Sequence, residues 1–361
     1  MKLPRMLELT QELVSAYGPC GQEADVRNIV ERELQAICDE VWVDEGENAI
    51  GLIRGTNKQK PVGRVQPPVV RVMAHLDELS MYVKRIEADG RLRVRPLGGI
   101  QPWSMGLGPI EILGDKQTLP GVLSIGPLHV SAESSQTWAS KTQGGGQGVE
   151  WRSVHVFTRR SKRELEAAGV HAGTRVVVAR SRRELLELGD CIGGYFLDDR
   201  VCLTIMLAGA SLLRAKAKRP PHDVYLVATS SEEIGGGMAA YAAKKLPGTI
   251  TLAVDVGPVA AEYGTELDDR PIVVFRDDRS LYSKPVSDAL MRAGNKAKLK
   301  PRAATWESYG SDASFSKTVG HAPHAGLLCI PTDNTHAYEV VTRRGIENCA
   351  KLLAAYLERP L

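Results

Sequence analysis

Two adjacent carboxylates, Glu232 and Glu233, stand between an uncharged β-rich run, Val224 to Ala228, and the glycines Gly235-Gly236-Gly237. The run reads as a buried strand of a parallel sheet, and the carboxyl ends of such strands are where ligands bind. Neighbouring side chains on an extended backbone point in opposite directions. The two glutamates therefore suit different tasks, one as a metal ligand and the other as a proton acceptor. A pair of solvated surface glutamates is the competing reading of so short a motif.

Other segments decide between the two. The strand-like Val69 to Ala74 ends in His75-Leu76-Asp77-Glu78, and Leu197-Asp198-Asp199-Arg200 precedes an apolar helix. Thr251 to Val254 ends in Asp255, and His336 follows a strand over Gly326 to Ile330. Five segments thus each deliver an acid or an imidazole to one edge of the predicted sheet: His75, Asp198, Glu233, Asp255 and His336. Mixed nitrogen and oxygen ligands of this kind suit zinc, cobalt or manganese. With one carboxylate bridging, two divalent ions would each receive three protein ligands and keep an open position, as catalysis requires.

The elements that must position these residues alternate strand and helix on both sides of a different middle segment. Residues 1–80 and 190–361 join into one α/β domain with a doubly wound mixed sheet, which is the expected catalytic domain. From 81 to 189 the chain turns to short strands and many glycines, the texture of a small inserted β-rich domain. A last helix is expected from about Tyr338 to Tyr356. The glycine triplet at 144–146 lacks the strand, helix and lysine of a phosphate loop, and Ser131 to Gly148 reads as a mobile loop.

Composition narrows the partners. A chain of 361 residues is long for one core. A net charge of +3, without a long run of one sign, points away from nucleic acid and membrane and toward small molecules or other subunits. Six cysteines without a C-x-x-C pair fit reduced thiols in a cytoplasmic protein. The first helix is amphipathic and no long apolar run exists, so neither secretion nor membrane insertion is expected.

The motifs in this order resemble those of the dinuclear metallo-aminopeptidases of the glutamyl and deblocking aminopeptidase family, which includes the tetrahedral archaeal peptidases and the cellulase M proteins. The resemblance is carried by Met73-Ala74-His75-Leu76-Asp77-Glu78, Leu197-Asp198-Asp199-Arg200, Glu232-Glu233-Ile234-Gly235, Ala253-Val254-Asp255-Val256, Gly310-Ser311-Asp312-Ala313 and Ile330-Pro331-Thr332 with His336 beyond. It implies that His75 and Asp255 bind one metal, Glu233 and His336 the other, and Asp198 bridges them. It further implies that Asp77 holds the His75 ring and that Glu232 is the general base in hydrolysis of N-terminal residues from short peptides. Family members form dimers and twelve-subunit tetrahedra, so a homo-oligomer built through the middle segment is implied as well. Two motifs depart from the family: Asp333-Asn334-Thr335 stands before the second histidine, and His155-Val156-Phe157-Thr158 stands in the insert.

The remaining candidates read as structural. His321 and His324 are expected to be loop histidines, and Asp199 is assigned a supporting role paired with Arg200. The main alternative function is a related dinuclear amidohydrolase, a carboxypeptidase or deacylase, acting on a small amide, because no residue singles out a free amine.

Overall fold

The computed structural model describes residues 1–56, 69–131, 133, 149–216 and 219–360. The predicted loop over Ser131 to Gly148 lies almost wholly outside them. The chain divides into two compact units, one of residues 1–78, 185–335 and 339–361 and one of residues 79–184 and 336–338.

Strands β1 (Glu40–Val43), β2 (Ala49–Ile53) and β3 (Val70–His75) open the first unit. The second unit holds β4 (Ser80–Ile86), β5 (Leu92–Leu97), β6 (Gly108–Leu113), β7 (Thr118–Ser124), β8 (His155–Phe157) and β9 (Arg175–Val178). The first unit resumes with β10 (Leu186–Leu188), β11 (Cys191–Tyr195), β12 (Val224–Thr229) and β13 (Ile250–Pro258). It ends with β14 (Ile272–Arg276), β15 (Arg302–Thr305), β16 (His324–Asp333) and β17 (Tyr338–Thr342).

The first unit is built on an 11-stranded mixed sheet, along which β12, β3, β13 and β16 are successive parallel neighbours. These central strands are covered on both faces, so they show no in-and-out alternation: every residue of β3 and β12 is buried, Arg71 included. Antiparallel β2 borders β12 on one side and antiparallel β17 borders β16 on the other, which makes the sheet mixed. The helix Leu197–Arg214 is buried along nearly its whole length. It packs closely on the helix Arg343–Glu358, where a Cβ on Gly209 would come within 2.8 Å of the Leu353 side chain. That last helix starts at Arg343; residues 338–342, expected to be helical, form β17, because Val340 and Val341 pair with Asp333 and Thr332.

In the second unit β4, β5, β8, β7, β6 and β9 close into a small barrel. Alternation fits closure: Ile110 and Ile112 of β6 are buried while their neighbours are less so, giving a lined interior without a free edge. No helix among the described residues is long and apolar enough to cross a membrane.

One buried histidine of the first unit has a consequence for stability. His222, just before β12, is 5% exposed, and its Nε2 lacks a hydrogen-bond partner among the described residues. Burial pushes its pKa down to about 4. An unfolded histidine takes its proton near 6.5, so stability held above that pH is lost as pH falls toward 4, by about 3 kcal/mol for this group. Urea denaturation of His222→Gln should show a shallower decline than wild type over that window. Parallel profiles would remove His222 from the account.

Candidate metal centre

The centre lies where β3 and β13 part. β13 pairs with β3 only as far as Ala253 opposite Met73. Beyond that point β3 stays with β12 to His75 opposite Thr229, and β13 stays with β16 to Pro258 opposite Thr332. The carboxyl ends of the central strands thus open a crevice of the kind in which α/β sheets bind ligands. His75 ends β3 on one side of it, and Asp255 stands on β13 on the other.

Asp198 and Asp199 come from the first turn of the helix Leu197–Arg214, where Phe196 takes φ +62° and both aspartates leave helical angles. A regular helix would point neighbouring side chains about 100° apart; this irregular turn brings both into one group. His75, Asp198, Asp199 and Asp255, all buried, each offer a ligand atom, and these atoms lie within 4.8 Å of one another. Glu233 brings a carboxylate oxygen within 4.8 Å of one on Asp198.

His75 is oriented from behind. Its Nε2 lies 3.0 Å from Asp198 Oδ1, while Nδ1 faces Asp77, 3.4 Å from Oδ1 and 3.2 Å from the main-chain oxygen. Asp77 also accepts hydrogen bonds from the amides of Glu232 and Glu233, at 2.9 and 3.1 Å, and from the Cys20 thiol at 2.9 Å. One buried carboxylate therefore sets the imidazole and anchors the glutamate pair. A partner on Nδ1 fixes the tautomer that leaves Nε2 for a cation.

Two expectations change. The glutamates do not alternate along a strand: β12 stops at Thr229, Ser231 takes φ +56°, and the amides of Gly235 and Gly236 return to the Glu232 carbonyl. The pair therefore stands in a turn and not on a strand with β periodicity. Asp199 does not pair with Arg200 either. Asp199 Oδ2 accepts the His75 amide at 2.8 Å, whereas Arg200 pairs with Glu78 at 2.8 Å and donates to the Leu76 carbonyl. The two residues brace opposite parts of the same 75–78 segment.

Electrostatics show why the group suits cations. Burial, followed by the Asp198 charge, pushes Asp255 up to about 8 against the pull of His75. Burial likewise raises Asp199 well above the carboxylate range, with Asp255 and Asp198 adding to it. Burial also raises Glu232, helped by Asp312, Glu233 and Asp255. Burial would lower His75, but Asp199, Asp198 and Asp77 hold its pKa well up. Clustered buried carboxylates around one imidazole carry an excess of negative charge that divalent cations relieve, and the nitrogen and oxygen donors match such ions.

Residues that the sequence did not single out support the ligands. Glu339 Oε2 accepts the Asp198 amide at 2.8 Å. Asp312, 3% exposed, accepts the Thr229 hydroxyl at 2.5 Å and is pushed up to about 6, chiefly by burial. Glu23 accepts from Ser231. None lies in a spacing that marks it; only Asp312 sits inside a quoted motif. His336 groups with the second unit, where its Nδ1 lies 3.0 Å from the Gly99 carbonyl oxygen. His324 opens β16 and His321 lies in the preceding loop.

A buried imidazole and carboxylate group at the carboxyl edge of a mixed α/β sheet is a donor set that fits divalent metal ions. Residues 56–352 match the model of the M42 glutamyl aminopeptidases, and the chain belongs to that family. It is a metal-dependent aminopeptidase. The lysyl aminopeptidase of Pyrococcus furiosus is 27% identical, over 97% of this chain and 96% of its own. An aminopeptidase of the archaeon Desulfurococcus kamchatkensis superposes with a TM-score of 0.86 at 26% identity, covering 99% and 95% of the two chains. The TET1 peptidase of Pyrococcus horikoshii shares the fold with a TM-score of 0.83 at 20% identity, covering 98% and 99%.

Proposed function

We propose that this chain removes N-terminal residues from short peptides at two divalent ions per chain. His75 and Asp255 would hold one ion, Glu233 and His336 the other, and Asp198 both; zinc or cobalt suits the donors best, with manganese next. The observation that carries the reading is the buried convergence of His75, Asp198 and Asp255, with Glu233 brought to Asp198 from the turn that also carries Glu232. Bound there, such ions polarise a peptide carbonyl and lower the pKa of water. Glu232 takes the proton of the attacking water and returns it to the leaving amine. Asp77 keeps the His75 ring and the 232–233 backbone in register.

With cobalt or zinc supplied, the protein should release product from aminoacyl-nitroanilides, lose this activity on chelation, and leave acetylated amino acids intact. Cleavage of the acetylated substrates alone would replace the reading with a deacylase.

The TET1 relative can assemble into a tetrahedron or an octahedral shell. That supports a homo-oligomer here, between a dimer and a dodecamer; the barrel unit is its proposed route of assembly. Light scattering on a sizing column decides it: a mass of one chain, 39.2 kDa, at micromolar concentration counts against assembly. A cytoplasmic location belongs to the same reading, supported by six cysteines that form no disulfide among the described residues.

A further inference from the structure

The turn that carries the glutamate pair is held by two buried carboxylates, and only one of them belongs to the ligand-bearing motifs. Asp77 takes the amides of Glu232 and Glu233. The amide immediately before them, that of Ser231, is taken by Glu23 Oε1 at 3.2 Å, and the Ser231 hydroxyl donates to the same oxygen at 3.2 Å. Glu23 is 3% exposed and its Oε1 also accepts the Gly21 amide at 2.7 Å.

The segment that bears Glu23 is itself tied to the centre. The Glu78 amide donates to the Gly18 carbonyl at 2.9 Å, and the Cys20 thiol donates to Asp77. Directly after Glu23 begins the helix Ala24–Ile37, whose Val26, Val30 and Leu34 lie in the main core. Glu23 is thus a fixed point rather than a mobile surface acid.

What it fixes is a costly backbone. Ser231 has φ +56°, a conformation that glycine adopts freely and a side chain disfavours. A Ser231 in the extended region would rotate the following peptides, and with them the directions of Glu232 and Glu233. We propose that Glu23 is a positioning residue for the peptidase reaction: by holding Ser231 left-handed, it assigns the two adjacent glutamates to their separate places. The inference rests on the roles proposed above for Glu232 and Glu233.

The test removes the tether and then removes the need for it. Glu23→Ala should lower kcat roughly 100-fold, the effect of a misplacement of about 1 Å, with KM changed less than about threefold because the substrate-facing surface is untouched. Glu23→Gln keeps an acceptor oxygen and should recover most of the loss. The double variant Glu23→Ala/Ser231→Gly should also recover, because at glycine the positive φ carries no side-chain penalty for Glu23 to offset. A loss that Ser231→Gly does not reverse, or a Glu23→Ala enzyme with full kcat, overturns the proposal.

A second readout does not depend on turnover. The visible absorption of the cobalt-loaded protein should change in Glu23→Ala, as the Glu233 oxygen moves, and return toward wild type in the double variant. An unchanged spectrum in Glu23→Ala counts against the proposal. If Glu23→Ala does not fold, Ser231→Val against Ser231→Gly asks the same question with Glu23 in place: Val should lose activity and shift the spectrum, and equal behaviour of the two refutes the idea. A wild-type protein inactive on every aminoacyl substrate would break the functional reading alone, since the spectral comparison would still report on the turn.

Discussion

Glu232→Gln should lower kcat by about 100- to 10,000-fold while leaving the bound metal unchanged. The amide has the size of the carboxylate and cannot accept the proton of the attacking water, so the loss falls on the chemical step. Its neighbour should fail differently: Glu233→Gln should cost an ion. The two side chains leave one turn whose amides are pinned by Asp77, so neither change should disturb the other residue's backbone. In the ion-free centre burial and Asp312, Glu233 and Asp255 raise the Glu232 carboxyl, and cations bound beside it would bring it back toward the range useful for a base. The acid limb of the pH profile of kcat should therefore belong to Glu232, with activity lost as pH falls through its pKa, and should vanish from the residual activity of the variant. Equal loss of metal in both variants would dissolve the proposed division of labour.

Asp198→Asn should remove both ions and with them nearly all turnover. Asp198 Oδ1 lies 3.0 Å from His75 Nε2, and the residue also meets Glu233, so it is the one carboxylate common to both proposed sites. A neutral amide can offer one oxygen but not the charge that two dications share. Its main chain is held by Glu339, so the substitution should leave the turn in place. Added metal, which should raise the Tm of wild type because only the folded chain binds it, should raise that of Asp198→Asn little or not at all. Elemental analysis provides the check. Retention of two ions per chain in the variant would place the bridge on another residue, with Asp199 the first to examine because it lies in the same buried group.

Asp199 marks the boundary between what was readable in the chain and what was not. The order of the motifs was enough for the metal chemistry, the class of sheet and the insertion of a β-rich segment. Buried parallel strands must be apolar throughout, and an acid or imidazole at the end of one is conspicuous against that background. His75, Asp255 and the Glu232-Glu233 pair stand out for this reason, and Asp198 does so because it starts an apolar helix. Whether Asp198 or Asp199 carries which contact is invisible in the sequence, since it depends on a non-helical first turn that folds both side chains into one group.

The same holds for the glutamate pair. The sequence suggests separate tasks for the two, but the turn in which they stand is set by a left-handed Ser231 and by two carboxylates, Asp77 and Glu23, that arrive from segments far away in the chain. A hydrogen bond from a backbone amide leaves no periodicity, and a buried glutamate between a turn and a helix looks like any surface acid. Which side chains could bind cations and move protons is written in the chain, because side-chain chemistry is local. How they are aimed comes from the fold, because direction is set by backbone angles and by partners that the folded core brings within hydrogen-bonding distance.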